Sequence, residues 1–179
     1  TVFEKIKLIR SHGRMDTVRY FDNTEQSQYL ELGYNWRMSS ITAALGLSQI
    51  SKLDKLIKMR QENAEYISKA LSKFPEIITP SSKNGSEHIY QMYTIRLSNK
   101  DVRDKLHDFL TKKLIFSKVY FNPIHLTDFY RNKFGTKVNS LLVTELISQQ
   151  ILTIPLYPNM NLEEKKYLTD SISEFFDSV

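Results

Sequence analysis

The sequence predicts an α/β fold, namely a small α/β sandwich of about three strands with helices on one face, preceded by a long helix and an N-terminal arm. Apolar residues alternate with other residues over 88–97 and 115–121, and a short apolar run follows at 151–154, which is typical of strands. Segments with helical spacing separate these runs. Strands and helices therefore alternate along the chain, which favours a layered packing of the two.

The predicted sandwich occupies 75–179, with elements in the order β-α-β-α-β-α. Helices are predicted over 101–113 and 139–150, and a turn-rich segment covers 122–137. Pro155 ends the third strand. Asn161, with Glu164 three residues later, forms a capping pair that opens the last helix.

The region before the sandwich divides into an arm and a helix. Residues 1–38 are predicted to form a first helix over 2–11, stopped by Gly13, and then an irregular arm that wraps a missing domain or a partner subunit. Residues 39–74 have the spacing of one long connecting helix. Its Gly46 indicates either the close approach of another backbone or simple tolerance. Because the chain opens inside a helical pattern without a Met, we expect Thr1 to be a cut rather than a natural start.

Composition excludes several classes of function. The 179 residues carry a formal charge of +5, without a block of like charges, so we expect no nucleic-acid partner. The charge is compatible with phosphate-bearing small molecules. The absence of cysteine excludes disulfides and thiolate metal sites and favours a cytoplasmic location. No apolar run approaches the roughly 18 residues of a membrane span, so no membrane partner is expected.

Residues 33–38, Gly-Tyr-Asn-Trp-Arg-Met, carry the strongest candidate binding groups. The amide of Asn35 can donate two hydrogen bonds to an anion, and the Arg37 guanidinium can pair with a phosphate or a carboxylate. Gly33 is predicted to supply a backbone angle that other residues disfavour. The alternatives are that Asn35 closes the loop in an Asx turn and that Arg37 anchors the arm through a salt bridge.

This segment and three others resemble one known family. With the helix that follows, it resembles the pattern GYNxRM…AALGLxQ of the DegT/DnrJ/EryC1/StrS family of pyridoxal-phosphate-dependent sugar aminotransferases. Similar matches follow in the family's order at 103–113, 122–130 and 145–164, so the resemblance covers residues 1–179. Thr127, Asp128 and Leu142 depart from the pattern, which bears on the substrate pocket more than on the fold.

The resemblance implies that this chain is the C-terminal portion of such an enzyme and corresponds to the small C-terminal domain of a fold-type I aminotransferase. It implies that Asn35 binds the phosphate of pyridoxal phosphate in the partner subunit, that Arg37 assists it, and that His125 lies near the nucleotide-sugar substrate. A packed, hydrogen-bonded loop histidine is the alternative for His125. The histidines show no metal-ligand spacing, so we expect no metal site.

The catalytic lysine of the family lies in a glycine-rich context on the large N-terminal domain. This sequence has no such context, and Lys118, which a serine precedes, is only the nearest lookalike. We therefore expect no catalytic residue and no bound cofactor in this chain alone. The expected partners are the missing large domain or a second subunit in a homodimer of the intact enzyme, and only with them do we expect activity. The alternatives are a non-catalytic dimerisation or small-molecule-binding module and, with less support, a basic DNA-associated regulator.

Overall fold

The computed structural model describes residues 1–14, 28–83 and 85–178. These residues form two compact units, Thr1–Lys52 and Leu53–Val179. The first unit contains α1 (Val2–Arg10) and α2 (Ser40–Ile50). The second contains α3 (Leu53–Leu71), β1 (Tyr93–Arg96), α4 (Lys100–Lys112), a 3₁₀ turn (Ile124–Leu126), α5 (Asp128–Phe134), α6 (Leu142–Gln150), β2 (Ile151–Ile154) and α7 (Leu162–Asp177). Over the described ranges, no helix has both the length and the apolar character of a membrane span.

The helix predicted over 39–74 is two helices, α2 and α3, separated by a turn at Ser51 and Lys52. The Ser51 hydroxyl donates to the carbonyl of Ser48 at 2.9 Å, and the Lys52 N–H donates to the carbonyl of Gln49 at 3.0 Å. A serine hydroxyl that bonds a main-chain carbonyl of the preceding turn competes with the regular helical hydrogen bonds, which favours the end of α2 at this position. The periodic spacing of apolar residues continues across the turn and therefore did not reveal it.

In the first unit, the residues just before Asn35 return to the end of α1. As predicted, the helix stops before Gly13, whose φ is +74° and whose N–H bonds the Leu8 carbonyl at 2.8 Å. A Cβ on Gly33 would lie 1.9 Å from the Gly13 nitrogen. Gly33 is therefore required by the close approach of two backbones, rather than by the unusual backbone angle that we expected. Residues 15–27 of the predicted irregular arm lie outside the described residues.

The sheet of the second unit has two strands among the described residues, not the three that we expected. β1 and β2 are antiparallel, with Tyr93 opposite Ile154 and Arg96 opposite Ile151. The segment predicted as a strand at 115–121 makes a single bridge, between Lys118 and Thr153. To extend this bridge past the end of β2, the next hydrogen bond would need an N–H from Pro155, which has none. In the other direction, the N–H of Ile151 is already bonded to the Ile147 carbonyl of α6.

The core of the second unit lies between the sheet and helices α3, α4 and α7. Tyr93 and Ile95 are buried, whereas Thr94 and Thr153 bond each other through their hydroxyls at 2.7 Å on the opposite face. This alternation is the predicted pattern of a half-buried strand, but the strand covers Tyr93–Arg96 rather than the whole of 88–97. The remaining core is supplied mainly by one stripe of each helix, including Ala64, Ile67, Leu71, Leu106, Leu110, Leu168, Ile172 and Phe175.

Candidate functional site

The loop at residues 33–38, which carries Asn35, is held to α1 through its main chain, and the Asn35 side chain is exposed. The N–H groups of Tyr34 and Trp36 donate to the carbonyls of Ile9 and Arg10, at 2.7 and 3.0 Å. The rings of Tyr34 and Trp36 stack with their centroids 4.3 Å apart. These contacts fix the loop without using the Asn35 amide. An exposed amide on a fixed loop can donate to an anion without first breaking a hydrogen bond.

Arg37 is tied to the same helix end through Ser11. Its Nε donates to the Ser11 Oγ at 3.3 Å, and Ser11 is fully buried. Arg37 is an exposed residue. A guanidinium carries several N–H donors in one plane, and two of them can bind two oxygens of a phosphate or a carboxylate. The amide of Asn35 and the guanidinium of Arg37 thus have the donor chemistry that fits the phosphate of pyridoxal phosphate.

In the second unit, His125 forms a buried pair with Glu145. Pro123 precedes the 3₁₀ turn that carries His125, and both His125 and Glu145 are only 9 % exposed. The His125 Nε2 lies 3.0 Å from the Glu145 Oε1. His125 is therefore a packed, hydrogen-bonded residue, as the alternative reading of the sequence described it.

Glu145 also accepts two main-chain hydrogen bonds. The Asn139 N–H donates to Oε2 at 2.9 Å and the Leu141 N–H donates to Oε1 at 3.2 Å. The Asn139 N–H most of all, together with His125 and the Leu141 N–H, lowers the pKa of Glu145, because each bond favours the ionised carboxylate. In the sequence, Glu145 stands out only as the first residue of the family motif at 145–164. Its position in the first turn of a helix, where glutamates reach back to preceding main-chain N–H groups, was the signal that could have found it.

The structure places the predicted site residues in two different units, with Asn35 and Arg37 in the first and His125 in the second. Lys118 is exposed, and its main chain forms the bridge to Thr153. Within the described ranges, no group of three His, Asp or Glu side chains could hold a metal ion.

Comparison with known proteins agrees with these features. A model of the DegT/DnrJ/EryC1/StrS aminotransferase family matches residues 1–173. The UDP-4-amino-4,6-dideoxy-N-acetyl-beta-L-altrosamine transaminase of Campylobacter jejuni is 30% identical over 180 residues, which cover 99% of this chain and 46% of that protein.

Solved structures give the same result. PseC of Helicobacter pylori, an aminotransferase involved in the biosynthesis of pseudoaminic acid, superposes with a TM-score of 0.79 and 26% identity over 98% of this chain and 46% of its own. A putative sugar aminotransferase of Streptococcus pneumoniae in its pyridoxal-phosphate form shares the fold, with a TM-score of 0.78 and 19% identity over 99% of this chain and 44% of its own. The chain thus spans less than half the length of these relatives. The match over residues 1–173 shows that this chain belongs to the DegT/DnrJ/EryC1/StrS aminotransferase family.

Proposed function

We propose that this chain is the C-terminal portion of a pyridoxal-phosphate-dependent nucleotide-sugar aminotransferase of polysaccharide or amino-sugar biosynthesis, and that it is inactive alone. The observation that carries the proposal is the coverage: the family model matches residues 1–173, while the Campylobacter jejuni transaminase is matched over 46% of its length. The lysine that attaches the cofactor would then lie on a large domain outside these residues. We also propose that the intact enzyme is a homodimer and is located in the cytoplasm.

In this proposal, the chain supplies binding groups rather than the reacting amine. When bound, pyridoxal phosphate supplies the electron-accepting ring through which an amino group is exchanged. The exposed amide of Asn35 donates to the phosphate held in the partner subunit, and the Arg37 guanidinium contributes positive charge beside it. His125, held by Glu145 at 3.0 Å, forms part of the wall that contacts the sugar.

The test combines the full chain with a lysine-bearing large-domain polypeptide of the same family, either mixed or co-expressed. We expect the visible absorbance of bound pyridoxal phosphate and amino transfer from glutamate to a keto nucleotide sugar only in the combined sample. Borohydride reduction and mass spectrometry should then locate the cofactor on the added polypeptide. Covalent trapping of the cofactor on one defined lysine of the present chain by itself would refute the proposal.

A matched pair of variants tests the phosphate contact. Asn35→Asp keeps the shape of the side chain but removes its donors and adds a negative charge, so cofactor affinity should fall by at least about tenfold, as expected for the loss of one charge-assisted bond. Asn132→Asp introduces the same charge at an exposed position on α5 and should leave affinity unchanged. Equal affinities for the two variants would contradict the proposed role of Asn35.

A non-catalytic dimerisation or small-molecule-binding module is the second candidate. The observation that favours it is α2, in which no residue is buried although Ile41, Leu45 and Ile50 are large and apolar. A helix that is apolar around its circumference is normally covered. A discrete dimer of this chain in light scattering, together with no cofactor uptake after addition of the large domain, would favour this candidate over the aminotransferase.

A further inference from the structure

We propose that Glu145 is a positioning residue that fixes His125 with Nε2 as a hydrogen-bond donor, so that Nδ1 is presented as an acceptor to a hydroxyl or amine of the bound ligand. This inference rests on the proposed function for the identity of the ligand. The arrangement of Glu145 and His125 is a property of the second unit, and it can be tested without the ligand.

The direction of the hydrogen bond follows from the partners of the carboxylate. The Glu145 oxygens accept from the main-chain N–H groups of Asn139 and Leu141, and an ionised carboxylate can only accept. The His125 Nε2, 3.0 Å from Oε1, must therefore carry the proton. The bond made by one ring nitrogen determines the state of the other, so Nδ1 of the neutral ring carries a lone pair.

The other ring nitrogen is available. Among the described residues, no group forms a hydrogen bond with the His125 Nδ1. This nitrogen is not fully buried, so it keeps some contact with solvent. The ring therefore has one nitrogen committed to Glu145 and one open. An open acceptor selects a ligand group that has a hydrogen to donate, such as a sugar hydroxyl or an amine, over a carbonyl oxygen.

The main chain on both sides of the pair is held by further hydrogen bonds. The Thr136 hydroxyl donates to the His125 carbonyl, and Asn139, whose N–H bonds Glu145, has a φ of +67°. Glu145 thus connects α6, the loop before α6 and the 3₁₀ turn of His125. A carboxylate that holds both its own loop and an imidazole presents that ring in one orientation, which preorganises the contact with a ligand.

The first test measures the tautomer of His125 by nitrogen NMR on the full chain labelled with ¹⁵N-histidine. The chain has four histidines, and His88 is an internal reference because its Nδ1 accepts the Tyr90 N–H at 2.9 Å, which also leaves the proton on Nε2. We expect wild-type His125 to show the same pattern as His88. A proton on Nδ1 of neutral wild-type His125 would overturn the proposal.

Two variants separate positioning from general loosening of the loop. In Glu145→Gln, the remaining oxygen should stay with the shorter Asn139 bond, and the amide NH₂ should face His125, so the ring proton should move to Nδ1. Thr136→Val removes the bond to the His125 carbonyl but not the carboxylate, and should keep the wild-type tautomer. An unchanged tautomer in a folded Glu145→Gln chain, or a changed one in Thr136→Val, would count against the inference.

The second test uses the enzyme reassembled with its large domain. Glu145→Gln should raise KM for the keto nucleotide sugar by about tenfold, the size of one lost hydrogen bond, and leave KM for glutamate unchanged. Equal changes for both substrates would refute the ligand assignment. If the reassembled wild-type protein does not transaminate, the ligand assignment fails with the proposed function, whereas the tautomer of the isolated chain still decides the role of Glu145.

Discussion

Leu114 adopts a backbone conformation that favours glycine. It follows α4 with a φ of +58°, and its side chain is 79% exposed. Its N–H bonds the Thr111 carbonyl at 3.0 Å, and the Ile115 N–H bonds the Leu110 carbonyl at 2.9 Å. These two bonds, together with buried apolar side chains at Leu110 and Ile115, define a Schellman motif, whose left-handed position is usually occupied by glycine.

The energetic cost of a side chain at this position can be estimated. The left-handed conformation costs an L-residue about 1–2 kcal/mol, which glycine does not incur. Glycine loses about 0.4–1 kcal/mol through the greater freedom of the unfolded chain. Leu114→Gly should therefore be about 0.5–1 kcal/mol more stable than Leu114→Ala. Comparison with alanine, rather than with leucine, cancels the small contribution of the exposed side chain.

Asp108 provides the matched control because it is exposed on α4, in the regular helix before the motif. At that position glycine should be about 1 kcal/mol less stable than alanine, because helix interiors disfavour glycine. The sign of the difference between glycine and alanine should thus reverse between residues 108 and 114. Reversal would show that the conformation at Leu114, rather than the flexibility of α4, is responsible.

Urea unfolding of the full chain, followed by far-ultraviolet circular dichroism, measures both differences. The chain's only tryptophan, Trp36, lies in the first unit, so its fluorescence reports that unit separately. A glycine variant at residue 114 that unfolds at lower urea than the alanine variant would refute the reasoning.

Three further predictions concern caps, charge and close approach. Asn161→Ala removes the side chain that caps α7 and should lower the free energy of unfolding by about 1 kcal/mol in urea titrations, because its bond to the Glu164 N–H is lost. The pKa of Glu145 is lowered in the folded state, so the unfolded chain binds more protons in acid. The stability that Glu145 contributes is therefore present above the ordinary glutamate pKa, and it is lost as the pH falls through the lower pKa of the folded state. Urea midpoints should therefore depend less on acidic pH in Glu145→Gln, and an unchanged dependence would contradict this. A Cβ on Gly46 meets no described atom within 4 Å, so Gly46→Ala should stabilise α2 by about 1 kcal/mol. A Cβ on Gly13 would lie 1.7 Å from the Glu31 carbonyl oxygen, so Gly13→Ala should make the first unit sensitive to proteases.

Local signals predicted most of the helices. Asn161 and Glu164 form the complete capping box that their spacing indicated. The end of α1 before Gly13 was likewise visible in the sequence. Such signals succeed because a cap satisfies main-chain groups that lie within one turn of it, so the partners are near in sequence.

Strand pairing was less predictable. Alternation at 115–121 indicated a strand, but a ladder needs a donor and an acceptor on the neighbouring strand at every second residue. Pro155 and the committed N–H of Ile151 remove the donors on either side of Thr153. Segment 115–121 therefore fails to form a strand because β2 lacks the donors to pair with it. The residue pattern of 115–121 contains no information about those donors.

The amino-acid sequence alone determined the family, the α/β class, most helix ends and the candidate residues Asn35, Arg37 and His125, because these depend on residue identity and short spacings. Only the tertiary structure showed that Glu145 holds His125 from 20 residues away and that Gly33 is required by the backbone of Gly13. Both contacts join groups far apart in sequence. Their existence depends on where the folded backbone brings the groups together, and no local pattern encodes that distance.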